Sequence, residues 1–257
     1  MAINFPKQDD LPLRNPPLAE VICQVRFPPL LKIVEKLPAE FQQQVRKRFP
    51  VFGVRNPISM EVNPNGIPVS GQLPNEFEFK TPDGQTTASL GVSFVALSTQ
   101  HYLGWTAFAK DLRLVFGAFT KAYRTVPPTR IGLRYINNLT YQNTSVTTLE
   151  DLLGILNPDL LAILLNPTWT LPVGYSMRLL LEDGEERLSI RIGFESTPQP
   201  HVVLDYDYFS ETGFSSDLTA RQLSQAVSSY HRIIYNAFRW SIREDSVHIF
   251  QPKPSRR

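Results

Sequence analysis

Between Leu18 and Phe27 the side chains alternate well enough to predict a strand. Val21, Cys23, Val25 and Phe27 fall on one side, and Glu20, Ile22, Gln24 and Arg26 on the other. A two-residue period predicts a half-buried strand, which Pro28-Pro29 ends. The period then changes. Phe41, Val45 and Phe49 recur at spacing four, which predicts a helix over residues 38–49 with Pro38 tolerated in its first turn. Residues 76–80 and 86–100 read as a hairpin turning through Thr81-Pro-Asp-Gly84. Phe108, Leu112, Val115, Phe116, Phe119 and Tyr123 stripe a long helix over 105–124, and a strand follows at 130–139.

The second half repeats these signals. A helical hairpin is predicted over 149–165, opened by a Thr147-x-x-Glu150 capping box and divided at Asn157-Pro158. Residues 176–182 and 187–194 form a hairpin through Asp183-Gly184, and 201–209 form another strand. Leu223, Val227, Tyr230, Ile234 and Phe238 stripe a helix over 218–242, capped by Thr219-x-x-Gln222. Residues 247–250 read as a closing strand. The proline- and glycine-rich stretch 50–75 is expected to hold short edge strands and loops.

These elements predict an α+β fold, with twisted antiparallel sheets packed against long helices. Residues 1–17 form an extended arm, because Pro6, Pro12, Pro16 and Pro17 remove donors and fix φ. An N-terminal half over 18–145 and a C-terminal half over 146–250 share the order hairpin, long helix, strand, and read as pseudo-duplicated parts of one or two domains. Residues 251–257 form a basic tail.

Composition narrows the function. Lys plus Arg is 26 and Asp plus Glu is 24, a net charge of +2, so nothing favours nucleic acid or a membrane surface. One cysteine excludes a disulfide framework and a thiolate zinc site within one chain. Four scattered histidines offer no metal centre, and no cofactor is expected. Residues 1–10 lack the apolar core of a signal peptide, so a cytoplasmic location is expected. There is no Gly-x-Ser-x-Gly elbow, phosphate-binding loop, dinucleotide fingerprint or His-Glu-x-x-His.

What stands out is charge on strands whose other side is apolar. Arg130 and Arg134 share a face across small Gly132, Asp205 shares one with Asp207, and Glu20 shares one with Arg26. Arg187, Ser189 and Arg191 follow the same rule. Such a face is either an ordinary solvated surface, a groove where both signs hold a polar ligand or peptide, or a subunit interface. Cys23 lies on an apolar face as an inert thiol, and His231 is a core or helix-surface histidine.

Asn15-Pro-Pro-Leu-Ala-Glu-Val21, continuing to Arg26-Phe27, resembles the opening of an uncharacterised, sporadically distributed prokaryotic family of similar length. Arg130-Ile-Gly-Leu-Arg-Tyr-Ile-Asn137, Leu204-Asp-Tyr-Asp207 and the helix around His231 to Phe238 are similar to its later motifs. The resemblance spans nearly the whole chain and implies a full-length member of an accessory system. It implies no activity. Glu20, Arg26, Arg130, Arg134, Asp205 and Asp207 are the candidate binding residues. The expected function is a non-enzymatic binding or assembly module with a protein partner or a second copy as a homodimer. The rival is an enzyme or small-ligand sensor that holds an anion between sheet and long helix.

Overall fold

The alternation at the start of the chain folds into β1 (Leu18–Arg26), with Val21, Cys23 and Val25 buried. The structure, a computed structural model, describes residues 3–8, 13–56, 58–62, 68–72, 75–124, 127–195, 199–212, 214 and 219–251; for 58–62 and 68–72 only the backbone is described. The basic tail 252–257 lies outside the described residues.

After β1 come α1 (Leu31–Glu35), α2 (Ala39–Val45), β2 (Val51–Arg55), β3 (Ile58–Val62), β4 (Pro68–Gln72), β5 (Glu76–Lys80), β6 (Thr86–Gly91), β7 (Phe94–Thr99) and α3 (Trp105–Tyr123). Then follow β8 (Arg130–Thr140), α4 (Tyr141–Thr144), α5 (Leu149–Gly154), α6 (Pro158–Leu161), β9 (Gly174–Asp183), β10 (Glu186–Glu195), β11 (His201–Ser210) and α7 (Ala220–Ser241). Nine strands hydrogen-bond in the order β2-β5-β6-β7-β1-β8-β11-β10-β9, and β3 pairs with β4 alone. The registers described are antiparallel. The chain is therefore α+β on an antiparallel sheet.

Contacts divide the chain into two units. One comprises residues 22–131 and 212–226. Here Phe41 and Val45 of α2, and Phe49 just beyond it, are fully buried, and the Phe41 ring lies 5.2 Å from that of Phe79 on β5. Burying a phenylalanine stabilises the fold by about 1.5–3 kcal/mol. All the predicted stripe of α3 except Tyr123 is buried, and Phe119 stacks on Phe27 at 4.8 Å. The Thr81–Gly84 turn closes as its residues dictate. Gly84 takes φ +71° and its N–H donates to the Thr81 carbonyl at 2.8 Å.

One prediction in this unit is corrected. Residues 86–100 are not one strand but two, β6 and β7, reversed through Val92-Ser93 with Gly91 opposite Phe94. The turn carries no Asn-Gly or Pro-Gly signal. It is held from outside, because the Val92 and Ser93 carbonyls accept from Leu30 and Phe27 at 2.8 and 3.0 Å.

The other unit comprises residues 1–21, 132–211 and 227–257. Tyr230 of α7 packs on Tyr208 of β11 at 4.8 Å, and Ile234, Ala237 and Phe238 continue the buried side. Within the proline-bearing arm, residues 3–8 lie against α7: Gln8 N–H donates to Asn236 Oδ1 at 3.1 Å, and Phe5 lies 5.5 Å from Trp240. At the start of α7, in the unit of residues 22–131 and 212–226, Thr219 and Gln222 form the predicted reciprocal cap, at 2.9 and 3.3 Å.

Two further predictions are corrected. The cap of α5 is Thr148, not Thr147; its hydroxyl accepts from Asp151 N–H at 3.1 Å. Residues 247–250 do not form a strand. They end a 3-10 helix, Glu244–Phe250, that buries Val247 and Phe250, a run too short for periodicity to separate from a strand.

Candidate functional site

The β9–β10–β11 registers line up the charged residues. Arg191 of β10 stands opposite Asp205 of β11, Ser189 opposite Asp207, and Arg178 of β9 opposite Arg191. Alternation puts these side chains on the side of the sheet away from Leu188, Ile190 and Ile192, which are buried. Arg134 on β8 completes the row.

Asp205 is its centre. Arg134 Nε donates to Oδ1 and Nη2 to Oδ2, both at 2.7 Å, a two-point fork. Arg191 Nη1 lies 3.8 Å from Oδ2. The Asp205 side chain is only 7% exposed, while that of Arg134 is 36% exposed. Its hydrogen bonds to Asp205 hold the Arg134 guanidinium above its ordinary value, with Asp207 and Glu20 adding negative charge. The arrangement is a carboxylate clamped by two guanidiniums, with two more carboxylates in electrostatic reach. Its chemistry is charge neutralisation: the Nε and Nη2 hydrogen bonds that form the Arg134 fork are both directed at Asp205.

The candidate residues separate. Glu20, Arg134, Asp205 and Asp207 belong to this cluster. Arg26 and Arg130 belong to the unit of residues 22–131 and 212–226. There, exposed Arg26 donates to Gln24 Oε1 at 2.8 Å, and Arg130 acts on Cys23. Burial pushes the Cys23 thiol well up, and the nearby Arg130 charge only partly offsets it, so the thiol is inert. His231 hydrogen-bonds with the Tyr135 hydroxyl at 2.9 Å, between helix and sheet.

Arg191 lies on the charged face that the two-residue period predicts, whereas Arg178 is not among the residues singled out from the sequence. Their two-residue spacing with Ser189 and Leu180 was visible, but their partners follow only from register. Two hollows open elsewhere in this unit. One, of about 470 Å³, is lined by Asn157, Pro158, Ile242 and Arg243. The other, of about 500 Å³, is lined by Asn138, Thr140, Tyr141, Gln142 and His201. Neither is lined by Arg134 or Asp205. A scan of protein-family models and a search of curated proteins return no match for this chain.

Proposed function

We propose that the chain is a non-enzymatic binding or assembly module of a prokaryotic accessory system, acting in the cytoplasm through protein contacts. The closed Arg134–Asp205 fork carries the reading. An anion receptor needs open donors, and here both donors of the fork meet a carboxylate at 2.7 Å. Arg191 supplies a second cation to the same carboxylate, so the cluster is internally neutralised scaffold. A lone buried thiol fits a reducing compartment.

We also propose that the module arose by duplication. The order β1, short helices, strands β2 to β4, meander β5-β6-β7, long helix α3 is followed by β8, short helices, meander β9-β10-β11, long helix α7, so the two parts match apart from β2 to β4, which have no counterpart in the second. In each part the last meander strand neighbours the first strand, β7 beside β1 and β11 beside β8. That shared connectivity supports two helix-backed parts of common origin.

Calorimetric titration with inorganic phosphate tests the scaffold reading. Wild type is expected to give no saturable heat, and Arg134→Ala to lose melting temperature. Saturable phosphate binding that disappears in an Arg134→Ala variant of unchanged melting temperature overturns the reading in favour of an anion sensor.

A further inference from the structure

β9 ends the strand order, and among the described residues no strand pairs with its outer edge. It is ten residues long, in unbroken register with β10, and contains neither proline nor lysine. Long edges of that kind recruit other strands, and proteins ordinarily blunt them with prolines, lysines, bulges or shortness. β2, at the opposite end of the order, is short at five residues. β9 carries charge at Arg178, Glu182 and Asp183 but has no proline, lysine, bulge or short length to blunt it. Not one of its ten residues is buried, although Tyr175, Met177, Leu179, Leu180 and Leu181 are apolar. Leu179 and Leu180 are 37% and 49% exposed.

The charges on β9 are also unbalanced. Arg178 stands directly opposite Arg191, an unfavourable cross-strand pairing of like charges. Its Nε donates only to neutral Ser189 Oγ, at 3.2 Å, and among the described residues no carboxylate lies within ion-pair distance. Four residues along on the same face, Glu182 is exposed and meets Arg187 at 3.4 Å.

We propose that β9 pairs antiparallel with β9 of a second copy of this chain, centred on Leu180, to form a homodimer with a sheet continuous across the dyad. A two-fold axis perpendicular to the sheet preserves its faces, so it must pass through a residue facing its own copy. Centring on Arg178 opposes two arginines. Centring on Leu179 sets Arg178 against Leu180, and Ser176 against Glu182. Centring on Leu181 sets Leu180 against Glu182, and Leu179 against Asp183. Centring on Leu180 sets Arg178 against Glu182 twice, Leu179 against Leu181 twice, and Leu180 against itself. This register supplies the missing carboxylate to Arg178 and covers the exposed leucines. Strand pairing alone is smaller than the roughly 800 Å² per partner of a stable interface. The segment leading into β9 also exposes Ile163, Leu165, Trp169 and Leu171.

The inference names a partner for the assembly module and rests on that reading, yet its own observations are those at β9. Multi-angle light scattering of the full chain at tens of micromolar tests it. Wild type is expected at about 58 kDa, twice the 29.2 kDa chain. Leu180→Lys, at an exposed site, is expected to elute as a folded monomer. Arg178→Glu or Glu182→Arg is expected to weaken the dimer at least about tenfold, and the double reversal Arg178→Glu/Glu182→Arg to restore it. The double reversal separates this register from any other and controls for misfolding of the single variants. A monomeric wild type, a Leu180→Lys variant that stays dimeric, or a double reversal no tighter than the single ones overturns the inference. None of these results moves the phosphate titration or the Arg134→Ala melt, so the two readings fail separately.

Discussion

Replacing Arg134 by alanine tests what the cross-strand cluster is for. The substitution removes both 2.7 Å hydrogen bonds to Asp205, whose side chain is 7% exposed. Breaking a buried ion pair from one side costs roughly 3–5 kcal/mol, mostly through the charge left behind. Two features reduce that here. Arg134 is 36% exposed, so water already screens the pair, and Arg191 stays 3.8 Å from Asp205 as a second counter-charge. The expected loss is about 2–3 kcal/mol. In a chain of this length that lowers Tm by about 5–10 °C. Urea denaturation followed by far-UV dichroism measures the free energy. Adding Asp205→Asn to Arg134→Ala removes the stranded charge, so the double variant is expected to be no less stable than Arg134→Ala alone. An Arg134→Ala protein melting within about 1 °C of wild type would show that Asp205 never depended on the fork and refute the scaffold argument.

Arg48→Ala provides a contrast in burial: Arg48 also forks onto a carboxylate, Asp111, at 3.0–3.2 Å, but is 47% exposed, so urea melts are expected to show a loss below about 1 kcal/mol. Burial is the main reason the folded chain keeps Cys23, Tyr206 and Tyr208 protonated above their ordinary values of 9.0, 10.0 and 10.0. The unfolded chain releases those protons first, so the stability these three groups contribute is full below about pH 9 and is lost as pH rises past it. Flat urea midpoints up to about pH 10.5 would contradict this. Gly184, at φ +66°, opens the two-residue turn between β9 and β10; Gly184→Ala is expected to cost about 1–2 kcal/mol in the same melts.

Much of the fold was legible wherever a long segment keeps one period. Phe41 and Val45 mark one buried helical side, with Phe49 buried just beyond the end of that helix, and Val21, Cys23 and Val25 mark one buried strand side, as their spacing requires. Short segments failed for a physical reason. The reversal at Val92-Ser93 is stabilised by donors from residues 27 and 30, which no local pattern reveals. Thr147 and Thr148 both offer a hydroxyl ahead of an acidic residue, and only the backbone decides which one caps. The site divides the same way. Arg134 and Asp205 announced themselves as charge on half-buried strands. Arg191 opposite Asp205, and Arg178 opposite Arg191, depend on pairing registers that the lengths of strands and loops set together.

The position of β1 bears on how the chain is made. The Pro17 carbonyl accepts from Asn138 N–H at 2.7 Å, and the Arg26 carbonyl from Thr129 N–H at 2.8 Å. A strand synthesised near the start thus gains its β8 neighbour only after roughly a hundred further residues have emerged, several seconds at about 5–20 residues per second. Through that interval β1 has an open flank on the ribosome, and such non-local closure slows folding. Destabilising β8 should therefore prolong the exposure of a nascent Val21-Cys23-Val25 face, making yield in the cell more sensitive than equilibrium stability to changes in this strand.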